Sequence, residues 1–281
     1  NMPLVKLIAD SGATKTEWCL LNGNKKNIFI TGAGAGIGAA TARLFAEAGW
    51  RVGLFDRDFN AVTMLAREIG HDRAMAGSLD VSNPKQWHSA LDGFVHWAGS
   101  LDVLLNNAGI LYSGAFENTP LDDHHRTMQV NVNGVLNGCH TAFEHLKANR
   151  HGARVINLSS ASAIYGQSNL ASYSASKFAV RGLTEALDNE WRNHNIRVMD
   201  IMPMFVQTAM VTNMDAGSIK KMGVHLSAED VAKVVYKAAT ANRRLAPTHW
   251  PVGLTSKALY HLSGVTPDPL NKLINRWLGQ H

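Results

Sequence analysis

The residues Asn27–Thr31 (NIFIT) form an unbroken run of β-formers that leads straight into Gly32-Ala-Gly34-Ala-Gly36-Ile-Gly38. A helical pattern follows at once. Ile37, Ala40, Leu44 and Ala48 share one stripe, and Gly49 ends it. A run without alternation suits a central parallel strand covered on both faces. Glycines at a strand-to-helix turn let the backbone come close to a pyrophosphate. The free N–H groups and the positive dipole end of the helix then face the phosphates. Few folds accommodate such a turn in this context, and it predicts a dinucleotide at the head of an α/β sheet.

Strand and helix signals then alternate. Strands are predicted at Arg51–Phe55, Arg73–Leu79 and Leu101–Leu105, with helices over Asn60–Ile69 and Pro84–Trp97. Such alternation implies a Rossmann-type, doubly wound parallel sheet in one α/β domain, and ligands in such sheets lie at the carboxyl ends of the strands. The segments after Ile30, Phe55, Leu79 and Leu105 should converge on one crevice. Asp56 ends the second strand, twenty residues beyond Gly36. A carboxylate there can accept from both adenosine ribose hydroxyls and repels a 2′-phosphate, which favours NAD over NADP. Its alternative role is to cap the helix that follows, and Arg57 beside it is able to meet a 2′-phosphate.

Further on, Asn157–Lys177 contains Ser160, then Tyr173 thirteen residues later, then Lys177 four residues after that. At i and i+4, Tyr173 and Lys177 share a helix face. An ammonium beside a phenol is expected to depress the phenol pKa from its usual value of about 10 and make it a usable general acid/base.

These motifs together resemble the short-chain dehydrogenase/reductase family over about residues 26–210. Thr31-Gly32-x3-Gly36-Ile37-Gly38 resembles the family's cofactor turn. Asp80-Val81 resembles the pair beside the adenine, and Asn106-Asn107-Ala108-Gly109 the motif that steadies the central sheet. Asn131 resembles the active-site asparagine, and Ser160, Tyr173 and Lys177 fall at the catalytic spacing. Pro203 through Thr208, including Val206, resembles the stretch that covers the nicotinamide. The resemblance implies hydride transfer between a nicotinamide and a secondary alcohol or ketone. Tyr173 would exchange the proton, Lys177 would hold the nicotinamide ribose and Ser160 would bond the substrate oxygen. Asn131 would support a proton-carrying water, or else cap a bent helix whose core stripe is Met128, Val132, Val135, Cys139, Phe143 and Leu146. It also implies a homodimer or homotetramer built on helices around 121–149 and 172–193. Ser159, Ser162 and Tyr165 are decoys by spacing, and Cys139 is expected to be core packing.

The chain departs from the family in three places. Met204 stands after Pro203 where the family has glycine, and the following segment is rich in methionine. Met204, Met210 and Met214 are therefore expected to shape an apolar substrate pocket, with about Thr208–Leu226 as a flexible lid or as ordinary core. The family's last strand is not evident after Arg244-Leu245-Ala246-Pro247. Beyond it, Leu270, Leu273, Ile274, Trp277 and Leu278 form an amphipathic pattern, an extra helical tail that packs on its own domain or a neighbouring subunit, closes the site, or touches a membrane surface. Residues 1–24 look foreign. Asp10, Gly12, Thr14, Lys15 and Thr16 resemble the phosphate hairpin of actin-like sugar kinases, yet no kinase continuation follows. A tag or fusion scar is expected there, with a native extension pairing as an extra hairpin or a working kinase element as the alternatives, and with the enzyme domain over 25–281.

Composition excludes several other classes. The formal net charge is +5, but no lysine- and arginine-rich run marks a nucleic-acid-binding tail. Two cysteines without ligand spacing argue against a disulfide framework or a metal site and fit a cytoplasmic, reducing setting. No apolar stretch reaches the roughly 18 residues of a membrane span. A regulatory dinucleotide-binding protein on the same fold is the competing function. The intact Ser160, Tyr173 and Lys177 speak against it.

Overall fold

Seven parallel strands form one sheet in the order β3-β2-β1-β4-β5-β6-β7. The computed structural model describes residues 26–208, 226–242 and 245–263. The foreign-looking N-terminal segment, Met210, Met214 and the amphipathic tail lie outside the described residues. The strands are β1 (Asn27–Thr31), β2 (Arg51–Asp56), β3 (Ala74–Ser78), β4 (Val103–Asn106), β5 (Ala153–Leu158), β6 (Ile196–Pro203) and β7 (His249–Val252). Every residue of β1 and β6 is buried, as the unbroken apolar run of β1 requires for a strand covered on both faces.

Helices cover both sides. On one face lie α1 (Gly36–Glu47), α2 (Phe59–Ile69) and α7 (Ala228–Thr240), packed on Ile28, Ile30, Leu54 and Met199. On the other lie α3 (Pro84–Ala98), α5 (Gly134–Lys147) and α6 (Ala171–Glu190), packed on Phe29, Leu104, Val155 and Val198. Local chemistry fixes the helix ends. Asp58 caps α2 by accepting from Ala61 N at 3.0 Å. Asn83 caps α3 ahead of Pro84, and Ser227 and Asp230 form a reciprocal capping box on α7.

Two expectations need correction. A last strand exists: β7 pairs in parallel with β6, with Pro251 opposite Met202. Proline within a four-residue run hides the strand signal, but on an edge strand its missing N–H removes no ladder bond. The helical stripe around Asn131 also shifts. A π turn at Gln129–Asn133 separates α4 (Leu121–Met128) from α5. It adds a residue to the helical register, so Val130, Val135, Cys139, Ala142 and Leu146 are buried while Met128 is exposed. Cys139 is a fully packed free thiol, pushed up to about 12 by burial, as expected of a core residue.

The final helix, α8 (Leu254–Ser263), follows β7. Its Leu259 and Tyr260 pack on a small cluster formed by Ile164, Tyr165 and Met202.

The tightest contact in the nucleotide half lies between the α1 start and the end of β1. A Cβ on Gly38 would run into the Gly32 carbonyl oxygen. Gly38→Ala is therefore expected to destabilise the protein by about 1–3 kcal/mol or more, measured as a fall in the urea midpoint with little change in slope.

Candidate active site

The ends of β1 and β4 are sewn together. Thr31 Oγ1 accepts from Asn107 N and Ala108 N, each at 3.0 Å. Asn107 Nδ2 donates back to the carbonyls of Thr31 and Gly32 at 2.9 and 3.0 Å. Gly32 takes a positive φ of 63°, and a Cβ there would lie 2.8 Å from Ala108 Cα. Only glycine satisfies both the backbone angle and this approach.

Above the junction opens a cleft of about 290 Å³. The start of α1 forms its floor. Ala35, at the cap position, supplies no side-chain bond to the helix, and no acidic residue occupies the first turn. Free N–H groups therefore face the cleft. Gly36 has φ +53°, and a Cβ there would sit 3.1 Å from Thr208 Cγ2, so a side chain would narrow the cradle. Asp56 lines the cleft and accepts from Gly34 N at 3.0 Å and from Asp58 N at 2.9 Å. Asp58, not Asp56, caps α2, which removes the alternative role of Asp56. Bare helix amides at one point and a carboxylate at another fit a pyrophosphate and a ribose of a dinucleotide.

The far end of the cleft holds the side chains from β5 and α6. Lys177 is buried, and its Nζ donates to Leu158 O at 2.6 Å. Burial lowers its pKa to about 8, partly offset by the charge of Asp200. Lys177 Nζ lies 5.5 Å from the centre of the Tyr173 ring. The expected depression of the Tyr173 pKa is not what the structure gives. Burial pushes the phenol up to about 12, against a hydrogen bond with Ser160. The ammonium is committed to a backbone carbonyl and does not meet the phenol oxygen. Ser160 Oγ also accepts from Ser162 N at 3.1 Å and lies 3.5 Å from Pro203 O. Ser159 also borders the cleft, with its Oγ donating to Lys177 O at 3.3 Å.

Asn131 sits behind this set, buried in the π turn. Its Nδ2 donates to Ile110 O at 2.9 Å and to Ser176 Oγ at 3.1 Å, and its Oδ1 accepts from Ile110 N at 2.8 Å. It clamps the loop that follows Gly109 to α6.

Other sequence-predicted residues fall into two groups. Gly32, Ile37, Asn107, Ala108 and Gly109 line the cleft, as do Pro203, Met204, Val206 and Thr208. Gly34, Gly38, Arg57, Asp80, Val81 and Asn131 are not part of its lining. Gly34 and Gly38 act from behind through close packing, and Arg57 is exposed. Val81 O accepts from Trp87 Nε1 and Asn137 Nδ2, so this residue anchors α3 and α5. The sequence reading missed Ala35, Leu111, Leu158 and Phe205 in the lining, and Ser159, set aside by spacing, borders the cleft as well. Phe205 had a signal, since it stands inside the Pro203–Thr208 stretch. Leu111 and Leu158 had none beyond adjacency to Gly109 and Ser160.

The buried ammonium has a consequence for stability. Lys177 has a folded pKa of about 8, below its ordinary value of 10.5. The native state therefore carries a desolvation cost at pH 7 that fades as pH rises from 8 to 10.5. Lys177→Met is expected to melt at a higher temperature than the parent at pH 7, with the difference closing over that window. Thermal melts across pH measure it.

The chain matches the short chain dehydrogenase family over residues 26–218. It is 34% identical over 201 residues to trans-4-hydroxycyclohexanecarboxylate dehydrogenase of Sinomonas cyclohexanicum, covering 69% of this chain and 77% of that protein. It is 37% identical over 188 residues to 3-alpha-(or 20-beta)-hydroxysteroid dehydrogenase of Mycobacterium bovis, covering 66% and 70%. Among solved structures, 3-ketoacyl-(acyl-carrier-protein) reductase from Brucella melitensis complexed with NADH superposes with a TM-score of 0.76 at 30% identity, covering 81% of this chain and 96% of that one. The glycine turn, the seven-stranded sheet and these likenesses agree: this chain belongs to the short-chain dehydrogenase family of oxidoreductases.

Proposed function

We propose that this enzyme interconverts an apolar secondary alcohol and its ketone, prefers NAD, and uses Tyr173, Lys177, Ser160 and Asn131. Oxidoreduction of a CH–OH group with a nicotinamide dinucleotide follows from the family itself. The observation that carries the residue assignment is the convergence of Ser160, Tyr173 and Lys177 on the same cleft as the bare start of α1. A bound dinucleotide supplies the hydride acceptor in one direction and the donor in the other. Tyr173 receives the hydroxyl proton as the carbonyl forms, or returns it in reduction. Ser160 holds the substrate oxygen while charge develops on it. Lys177 offers its ammonium to a ribose hydroxyl, and Asn131 keeps the backbone near Gly109 in place.

With its pKa pushed up to about 12, Tyr173 carries its proton at neutral pH. That is the form needed to protonate a carbonyl. Oxidation needs the phenolate, so oxidation is expected to speed up with rising pH while reduction slows.

NAD preference is supported by Asp56, whose negative charge faces the cleft, and by exposed Arg57 lying outside the lining. The apolar character of the substrate is supported by Leu111, Met204, Phe205 and Val206 in the lining of the cleft, and by the steroid alcohol in the name of one relative. Exposed Leu121, Met128, Leu136 and Phe178 on α4, α5 and α6 support assembly into a homo-oligomer through these helices. A cytoplasmic location is our reading of the free, buried Cys139. Among the described residues no helix is long and apolar enough to cross a membrane.

Two experiments test this reading. Tyr173→Phe should bind NADH like the parent and lose turnover of cyclic alcohols by a factor of about 10² or more, followed at 340 nm. Undiminished turnover would remove Tyr173 from the mechanism. Asp56→Ser should raise kcat/KM with NADP and lower it with NAD, by about tenfold or more. An unchanged preference would refute the role of Asp56.

A further inference from the structure

Ser160 stands at the head of a short 3-10 turn, Ala161–Ala163, that follows β5. The turn sets the direction of its hydroxyl. Ser160 Oγ accepts from Ser162 N at 3.1 Å. The turn closes through Ala163 N to Ser160 O and Ile164 N to Ala161 O, each at 2.9 Å. So short a 3-10 turn has poor hydrogen-bond geometry and little stiffness of its own. A side chain that must meet a developing charge to within about 0.5 Å needs support from outside the turn.

That support reaches it from α6. Arg181 Nη1 donates to Ala163 O at 3.3 Å, and Arg181 Nε donates to Glu185 Oε1 at 3.0 Å. The guanidinium is a rigid planar fork, so fixing one donor on Glu185 presents another to the turn in a set direction. Glu185 Oε1 in turn lies 3.0 Å from Nε2 of His249 on β7, and His249 Nδ1 lies 2.8 Å from Asp200 Oδ1 on β6. On the far side, the guanidinium carbon lies 5.6 Å from the ring centre of Tyr260 on α8. At that separation an aromatic face attracts a cation.

Arg181 does not line the cleft, and hydride transfer as proposed above has no use for a guanidinium. It follows Tyr173 and Lys177 in two successive steps of four residues along α6. One helix therefore carries the proton-transfer pair and also reaches the turn that carries the third group. We propose that Arg181 is a positioning residue for Ser160, and that through Ala163 it locks the turn that holds the Ser160 hydroxyl toward the substrate oxygen. This rests on the role proposed for Ser160.

α8 backs the same turn with apolar contacts. Ala161 and Ala163 belong to a buried cluster against which Met204, Leu259 and Tyr260 pack. Met204 also lines the cleft. Ser256 Oγ donates to Met202 O at 2.8 Å and ties the start of α8 to the end of β6. Apolar packing of this kind keeps the turn in place but is non-directional. Arg181 adds a charge-assisted bond of fixed direction to the last carbonyl of the turn.

The test is a double-mutant cycle in the full-length protein, followed by NADH absorbance with the cyclic ketone that the parent reduces fastest. Arg181→Met and Arg181→Gln remove the charge with different shapes, so misfolding of one leaves the other decisive. In either variant kcat is expected to fall by about tenfold or more, while NADH binding, read by its fluorescence, stays at the parental value. Ser160→Ala is expected to lower kcat by about 10²-fold. In that background the Arg181 substitution should change kcat little, because the side chain it positions is gone. A merely structural role would slow both backgrounds alike. An Arg181 effect that persists in full without the serine overturns the proposal, as does parental kcat in a folded Arg181 variant. Parental turnover in Ser160→Ala alone would refute the role proposed for the serine, a separate failure that takes this proposal with it.

Discussion

The junction between β1 and β4 is the constraint on which the rest of the structure depends. The chain leaves β1 toward one side of the sheet and leaves β4 toward the other, so a crevice opens between them. Thr31 and Asn107 keep it at a fixed width by trading hydrogen bonds across the strand ends. Gly32 and Gly38 let the turn and the helix close on this clasp without side chains in the way. A parallel sheet places every other strand end at the same rim. Once the clasp is set, Asp56, Gly109 and Ser160 arrive at the cleft by topology rather than by local preference.

The side chains proposed for catalysis are then held by secondary contacts that do no chemistry. Lys177 is fixed by a backbone carbonyl, Asn131 by a π turn and Ile110, and Ser160 by Ser162. The π turn inserts a residue into a long helix so that a polar side chain turns inward at one point without dragging its polar neighbours along. Burial sets the electrostatics of the site. It holds Tyr173 in the protonated form and lowers the affinity of Lys177 for its proton.

Much of this was legible in the chain itself. The β1 run, the glycine turn and the alternation of strand and helix signals specify a parallel sheet with a nucleotide crevice, and the structure has that sheet. Ser160, Tyr173 and Lys177 were placed by spacing, and all three line one cleft. The helical stripe near Asn131 was misassigned because a π turn has no sequence signature and shifts every later residue in phase. β7 was missed because Pro251 argues against a strand unless the strand is known to lie at an edge.

What the sequence determined by itself was the order of elements and the identity of the groups available for chemistry, because hydrophobic period and glycine placement are local properties. What only the tertiary structure decided was the state of those groups. The Tyr173–Lys177 spacing pointed to a lowered phenol pKa, yet burial and the Leu158 carbonyl reverse the direction. Asp56 was open between ribose and helix cap until Asp58 was seen to take the cap. Asp200 and His249 are 49 residues apart and carry no motif. They become a pair only when β6 and β7 align in register, because charge and desolvation depend on what the fold brings alongside a residue, which sequence spacing does not report.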